Sequence, residues 1–190
     1  ENDMLYYGNQ DIYQNAGGLV WRALWKSNFV STTTVGWQSS QFKEDFFETN
    51  TGMPLIKNHS TDASVSIRNS NHIRFSDIHS LEFGAEVKLL TNSYDNMFGA
   101  YTNAMGDSTA SFTMKRSFDE KKIGGFINYI VRPLNGLTTT IGMRSDYFSF
   151  NDRLTVSPRT TLSYQFNELT SIKIASGMYY QNMPITLLSQ

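Results

Sequence analysis

The chain has 190 residues, of which 39% are hydrophobic, 14% aromatic and 17% charged, with a net charge of -1 and no cysteine. The near-zero charge excludes a polyanion-binding protein, because nucleic-acid affinity rests on a surplus of Lys and Arg facing phosphates; nucleic acid is not expected as a partner. The lack of cysteine excludes disulfides and thiolate metal sites, and no apolar run of about 18 residues is present to make a membrane-crossing helix, although a β-strand crosses with about 9–11 residues and leaves no such run.

In chain order, residues 1–16 are polar and aromatic without a firm period and are closed by Gly17-Gly18, which predicts a loop. They show neither a basic n-region nor an apolar h-region, so no export signal is expected there. Leu19, Trp21, Ala23 and Trp25 then alternate with Val20, Arg22, Leu24 and Lys26, the period of a two-faced strand, ending in a tight turn at Lys26-Ser27-Asn28. From Val30 to about Phe47 the abundance of Thr and aromatics favours extended chain. Residues 48–59, with Gly52, Met53-Pro54 and Asn58, predict a surface loop.

Ala63, Val65 and Ile67 oppose Ser64, Ser66 and Arg68, and a polar link through Asn69, Asn71 and Ser76 leads to Leu81, Phe83, Ala85, Val87 and Leu89 against Glu82, Gly84, Glu86 and Lys88. That pairing predicts a second hairpin. Residues 91–118 read as a long irregular loop, a length uncommon without a function. Ile123, Ile127, Tyr129 and Val131 against Lys122, Phe126, Asn128 and Arg132 predict the next strand. The turn Pro133-Leu134-Asn135-Gly136 follows, then Leu137, Ile141, Met143 and Tyr147 against Thr138, Thr140, Arg144 and Asp146, and a short link at Asn151-Asp152. Leu154 to Gln181 reads as two long strands around a turn at Asn167-Glu168, with Leu154, Val156, Leu162, Tyr164 and Phe166 on one face of the first.

The fold class expected is all-β, an antiparallel meander of about eight long strands with no amphipathic helix between them. Several patterns persist for about 12 residues, whereas strands of soluble proteins cluster near 5–6. By parity the wetter face collects Arg22, Arg68, Glu82, Glu86, Lys88, Lys122, Arg132, Arg144, Asp146, Arg159 and Lys173. The other face carries Leu, Ile, Val and Met toward strand middles and aromatics near the ends, among them Trp21, Trp25, Tyr129, Tyr147, Tyr164 and Tyr180. An apolar band edged by rings, with short turns on one rim and longer loops on the other, is the habit of a transmembrane β-barrel wall. The charged set is then lumen-facing and the aromatic set lipid-facing.

The segment SPRTTLSYQFNELTSIKIASGMYYQNMP, with Ser157-Pro158-Arg159, Tyr164, Gly177, Tyr179-Tyr180-Gln181 and Pro184, resembles the barrel of TonB-dependent outer-membrane receptors. HSLEFGAEVK at 79–88 and LTTTIGMRSDYF at 137–148 are similar in style to upstream strands of that barrel, so the resemblance spans roughly residues 60–185. It implies a cell outer-membrane location, nutrient uptake, contact with outer-membrane lipid, a plug domain elsewhere in the same parent chain, and TonB as energy-coupling partner. Such barrels have about 22 strands, so a partial barrel is expected, with the parent chain continuing on both sides. The alternatives are a passive porin-like channel and a soluble β-sheet ligand-binding module.

No enzyme activity, cofactor or metal is expected. His59, His72 and His79 are scattered and lack a His-x-x-x-His spacing. Ser157 has no nucleophile-elbow glycines. Glu82 and Glu86, four apart on one strand face, stand about 13 Å apart, too far for a retaining carboxylate pair. Asp95, Asn103 and Asp107 fall in the long loop without a calcium-loop motif. Tyr179, Tyr180 and Gln181 read as girdle or ligand platform where a strand meets a loop.

Overall fold

The computed structural model describes residues 6–102 and 105–180. They form β1 (Tyr6–Lys26), β2 (Phe29–Glu48), β3 (Pro54–Arg74), β4 (His79–Phe98), the two-residue pieces β5 (Tyr101–Thr102) and β6 (Ser108–Thr109), β7 (Phe112–Leu134), β8 (Leu137–Phe148), β9 (Arg153–Asn167) and β10 (Thr170–Gly177). One sheet of eight strands runs in the order β1-β2-β3-β4-β7-β8-β9-β10, and β5 pairs with β6 in a separate small ladder. Among the described residues the meander is all-β apart from a single 3-10 turn at Ser149–Asn151. It is not closed: β1 and β10 are its edges.

Three expected loops are shorter than their sequences predict. The expected loop 1–16 is strand from Tyr6 onward, its first five residues lying outside the described ones. The loop 48–59 reduces to 49–53, because β3 starts at Pro54. The loop 91–118 reduces to 99–111, because β4 runs to Phe98 and β7 begins at Phe112. The cause is common to all three. Asn, Ser, Gly and Asp weigh against strand in isolation, but here cross-strand side-chain pairs, polar ones such as Gln10–Glu44 and ring pairs such as Tyr6–Phe46 and Tyr7–Phe47, stabilise these strand portions. Likewise Asn69 and Asn71 belong to β3, and the link to β4 is only 75–78. The last strand stops at Gly177, before Tyr179 and Tyr180; Gln181 and Pro184 lie outside the described residues.

The register of β7 to β10 fixes which residues share a face. Tyr129, Ile141 and Thr160 align across β7, β8 and β9, as do Ile127, Met143 and Pro158, and Ile123, Tyr147 and Leu154. Ile172 and Ile174 of β10 continue this face opposite Tyr164 and Leu162. The alternate rows align Phe126, Arg144 and Ser157; Asn128, Gly142, Arg159 and Gly177; and Gly124, Asp146 and Thr155. Turn chemistry agrees with the expectation at Asn135-Gly136, where Gly136 takes φ 80°, a region glycine enters without steric cost. Its carbonyl accepts from the Gln165 amide at 2.9 Å.

Packing divides the chain into two units: Glu1–Gly17, Trp37–Val65 and Leu90–Asp119 form one, and Gly18–Gly36, Ser66–Leu89 and Glu120–Gln190 the other. The first is held by polar pairs. Gln10 donates to Glu44, Asn58 donates to the same carboxylate at 2.9 Å, His59 contacts Asp45 at 3.0 Å and Lys57 pairs with Asp95 at 3.5 Å. In the second unit the apolar rows lie open: Leu19 is 75% exposed, Ile141 59%, Leu154 65% and Ile174 62%. Among the described residues the only buried large hydrophobic side chains are Tyr94 and Phe148. A soluble β-sandwich covers one face of each sheet with another sheet; among the described residues no such layer covers the apolar rows.

Candidate functional site

The residues with the most chemistry lie on the charged face of the second unit. Arg144 makes a two-pronged contact to Asp146, with its Nη2 and Nε 2.6 and 2.7 Å from the two carboxylate oxygens, and it reaches Glu86 at 3.9 Å. Beside it, the Asn128 amide donates to Glu82 at 2.9 Å while its carbonyl oxygen accepts from Arg159 at 3.0 and 3.3 Å. Arg68 stacks over the Phe126 ring at 5.7 Å and Lys122 over Phe148 at 4.5 Å. Arg132 donates to Ser80 at 3.3 Å. Lys88 and Lys173 make no hydrogen bond or ion pair among the described residues. Of the eleven charged residues assigned by parity, the network joins Glu82 to Arg159 through Asn128, and Glu86 to Arg144 and Asp146.

Glycines make this network possible. A Cβ at Gly84 would strike the Phe126 ring, one at Gly124 the Asp146 carboxylate and Arg144 guanidinium, and one at Gly142 the Asn128 amide. Each of the three glycines is a notch into which a side chain of another strand folds flat against the sheet. Sequence reasoning missed this, and it missed Asn128 as the joint. A signal was present: Gly84, Gly124 and Gly142 all fall on the parity that carries the charges.

The aromatic set is placed as follows. Trp21 and Trp25 meet edge to face at 6.1 Å, and Tyr164 meets Phe166 edge to face at 4.7 Å. Tyr129 hydrogen-bonds His79 Nδ1 at 2.6 Å, and Tyr147 donates to Asp152 at 2.9 Å. Tyr180 is half-exposed beyond the end of β10. The opposite parity of the second unit, from Leu19 through Val35, Ile67, Leu81, Val87, Ile127, Met143 and Val156 to Ile174, has Lys121 as its one Asp, Glu, Lys or Arg within the described strands, at the unit's margin. Its main polar interruption is Asn69, which donates to Ser31 and Thr33 at 3.2 and 2.9 Å and so satisfies itself within the face. Nearer Pro54, the parity of β3 that reads Val65 and Ile67 instead reads Lys57, ion-paired with Asp95, and His59, in contact with Asp45.

A second polar cluster belongs to the first unit. Asp62 accepts from Asn92 at 2.5 Å and from the Tyr94 hydroxyl at 2.9 Å, and Ser60 donates to Asn96 at 3.2 Å. Burial, then the Asp62 hydrogen bond and charge, push the Tyr94 phenol above its ordinary range. The Asp95, Asn103 and Asp107 trio is not assembled among the described residues: Asp95 pairs with Lys57, and Asn103 falls outside them. No group of three His, Asp or Glu able to hold a metal occurs among the described residues, and the three histidines are apart, His59 on Asp45, His79 on Tyr129 and His72 in a groove beside Arg22.

No family model matches the chain, and no curated protein matches it.

Proposed function

We propose that this chain is wall of an outer-membrane β-barrel of the TonB-dependent receptor kind, contributing strands and rim to nutrient uptake. One observation carries the membrane part: the second unit sorts nearly all its charges onto one face and leaves the other apolar, exposed and uncovered. In water that arrangement is unfavourable by about 25 cal/mol for each Å² of apolar surface left wet. In a bilayer the same face is matched to hydrocarbon, and the strand ladders satisfy the backbone internally. Strands of 12 to 23 residues in β7 and β8 exceed the crossing length of about 9–11. Support for the receptor part is the Ser157-Pro158-Arg159 to Tyr180 resemblance. The plug, TonB and the transported nutrient are what that resemblance implies beyond these residues.

The absence of native cysteine permits a clean test. Single cysteines at Ile127, Met143 and Val156, labelled with an environment-sensitive fluorophore in vesicles, are expected to be quenched by nitroxides on lipid chains. Labels at Thr140 and Thr161, which pair with each other on the alternate rows, are expected to be quenched by aqueous iodide. Equal access of iodide to both sets would overturn the membrane assignment. Uptake by the parent protein that persists after the proton gradient is collapsed would favour a passive channel over a TonB-driven one.

A further inference from the structure

On the charged face of the second unit, away from the Arg144 network, β1 to β4 leave a groove of about 240 Å³ lined by Arg22, Val30, Thr32, Ser70, His72 and Glu82. Arg22 and His72 make no hydrogen bond or ion pair among the described residues. Glu82, the one acid in the lining, is engaged by the Asn128 amide at 2.9 Å. Thr32 and Ser70 add hydroxyl donors, and Val30 supplies an apolar wall that strengthens any charge interaction beside it. Lys26 and Arg74 share the parity of Arg22 and His72 toward the same short turns and add positive potential. A guanidinium offers a fork of donors matched to two oxygens of a carboxylate or phosphate, and the unpaired Arg22 fork stands beside an imidazole and two hydroxyls that can donate to the same group.

We propose that this groove binds a small oxyanion, a carboxylate or phosphate group held by the Arg22 fork with Thr32, Ser70 and His72 as further donors. The groove opens on the face opposite the apolar one, so its anion binding and the lipid contact of that other face stand or fall separately.

Calorimetric titration of the full chain in zwitterionic micelles with inorganic phosphate, and separately with citrate, is expected to give saturable one-site binding of at least one. The arm that responds identifies phosphate or carboxylate as the head group. Arg22→Gln is expected to weaken binding about tenfold, the loss of one charge-assisted hydrogen-bond pair. Arg22→Lys, which keeps the charge but not the fork, should fall between. Arg153→Gln, which removes a cation of the same face outside the groove, should leave the affinity unchanged. Circular dichroism checks that each variant keeps its strand signal; if Arg22→Gln does not, Arg22→Lys and Ser70→Ala decide. No saturable binding of either anion, or equal losses in the Arg22 and Arg153 variants, overturns the proposal.

Discussion

Asn128 connects groups on three strands, donating to Glu82 of β4 and accepting from Arg159 of β9, while its own strand is β7. It is 5% exposed, and its removal leaves the half-buried Glu82 carboxylate and Arg159 guanidinium without their shared partner. Asn128→Ala should therefore cost about 1–3 kcal/mol, measured by urea unfolding in micelles. A double-mutant cycle with Arg159→Ala should show coupling of about 0.5 kcal/mol or more; strict additivity would mean that the contact contributes nothing. Gly142→Ala should reproduce part of the same loss, because its Cβ displaces the Asn128 amide. Tyr94 tests a different residue-scale effect. Its phenol is raised by burial and by Asp62, so the folded chain holds the proton more tightly than the unfolded chain does. The stability this supplies is fully present below the unfolded value of about 10 and is lost as pH rises through the higher folded value. A plot of unfolding free energy against pH should fall above about pH 10, and Tyr94→Phe should flatten that fall.

At the scale of the element, the decisive property is which face of a strand a residue occupies. Ile127 and Met143 face each other across β7 and β8 on the uncharged rows, whereas Thr140 lies on the charged ones. A lysine at either of the first two should destabilise insertion by about 2–4 kcal/mol, while Thr140→Lys should change it little. Folded and unfolded fractions can be read from heat-modifiable electrophoretic mobility; equal penalties at all three positions would remove the distinction between faces. These faces were legible from alternation alone, since period 2 and parity survive whatever the neighbours do, and Leu154 to Tyr164 read correctly on that basis. Element ends were not. Asn92, Asp95 and Asn96 belong to β4 because Asp62, Lys57 and Ser60 on β3 pair with them, and a partner 30 or more residues away leaves no trace in a local window. The groove at Arg22 was hidden for the same reason, its lining coming from four strands of one face.

For the whole molecule, the proposed wall assignment rests on the second unit, whose charges keep almost entirely to one face. Without detergent or lipid the chain is expected to aggregate, because exposed apolar side chains recur on every strand of the second unit, and soluble monomers rarely expose contiguous apolar patches above a few hundred Å². Sedimentation in buffer alone would check this, and a dispersed, folded monomer would sink the wall assignment in favour of a soluble binding module.

The two free edges, β1 and β10, bear on how such a sheet could enter a membrane at all. Along each edge every second residue presents a backbone N–H and C=O with no ladder partner in the sheet. In hydrocarbon each unmatched group costs several kcal/mol. Entry strand by strand would incur that penalty repeatedly, while hairpins that zip at the surface incur it only at the outermost pair. If the sheet is barrel wall as proposed, the short turns at 27–28, 135–136 and 168–169 would act kinetically, each joining two strands before either crosses. Slowing one of them, for example by Gly136→Val where φ is 80°, should delay insertion more than it lowers the final yield.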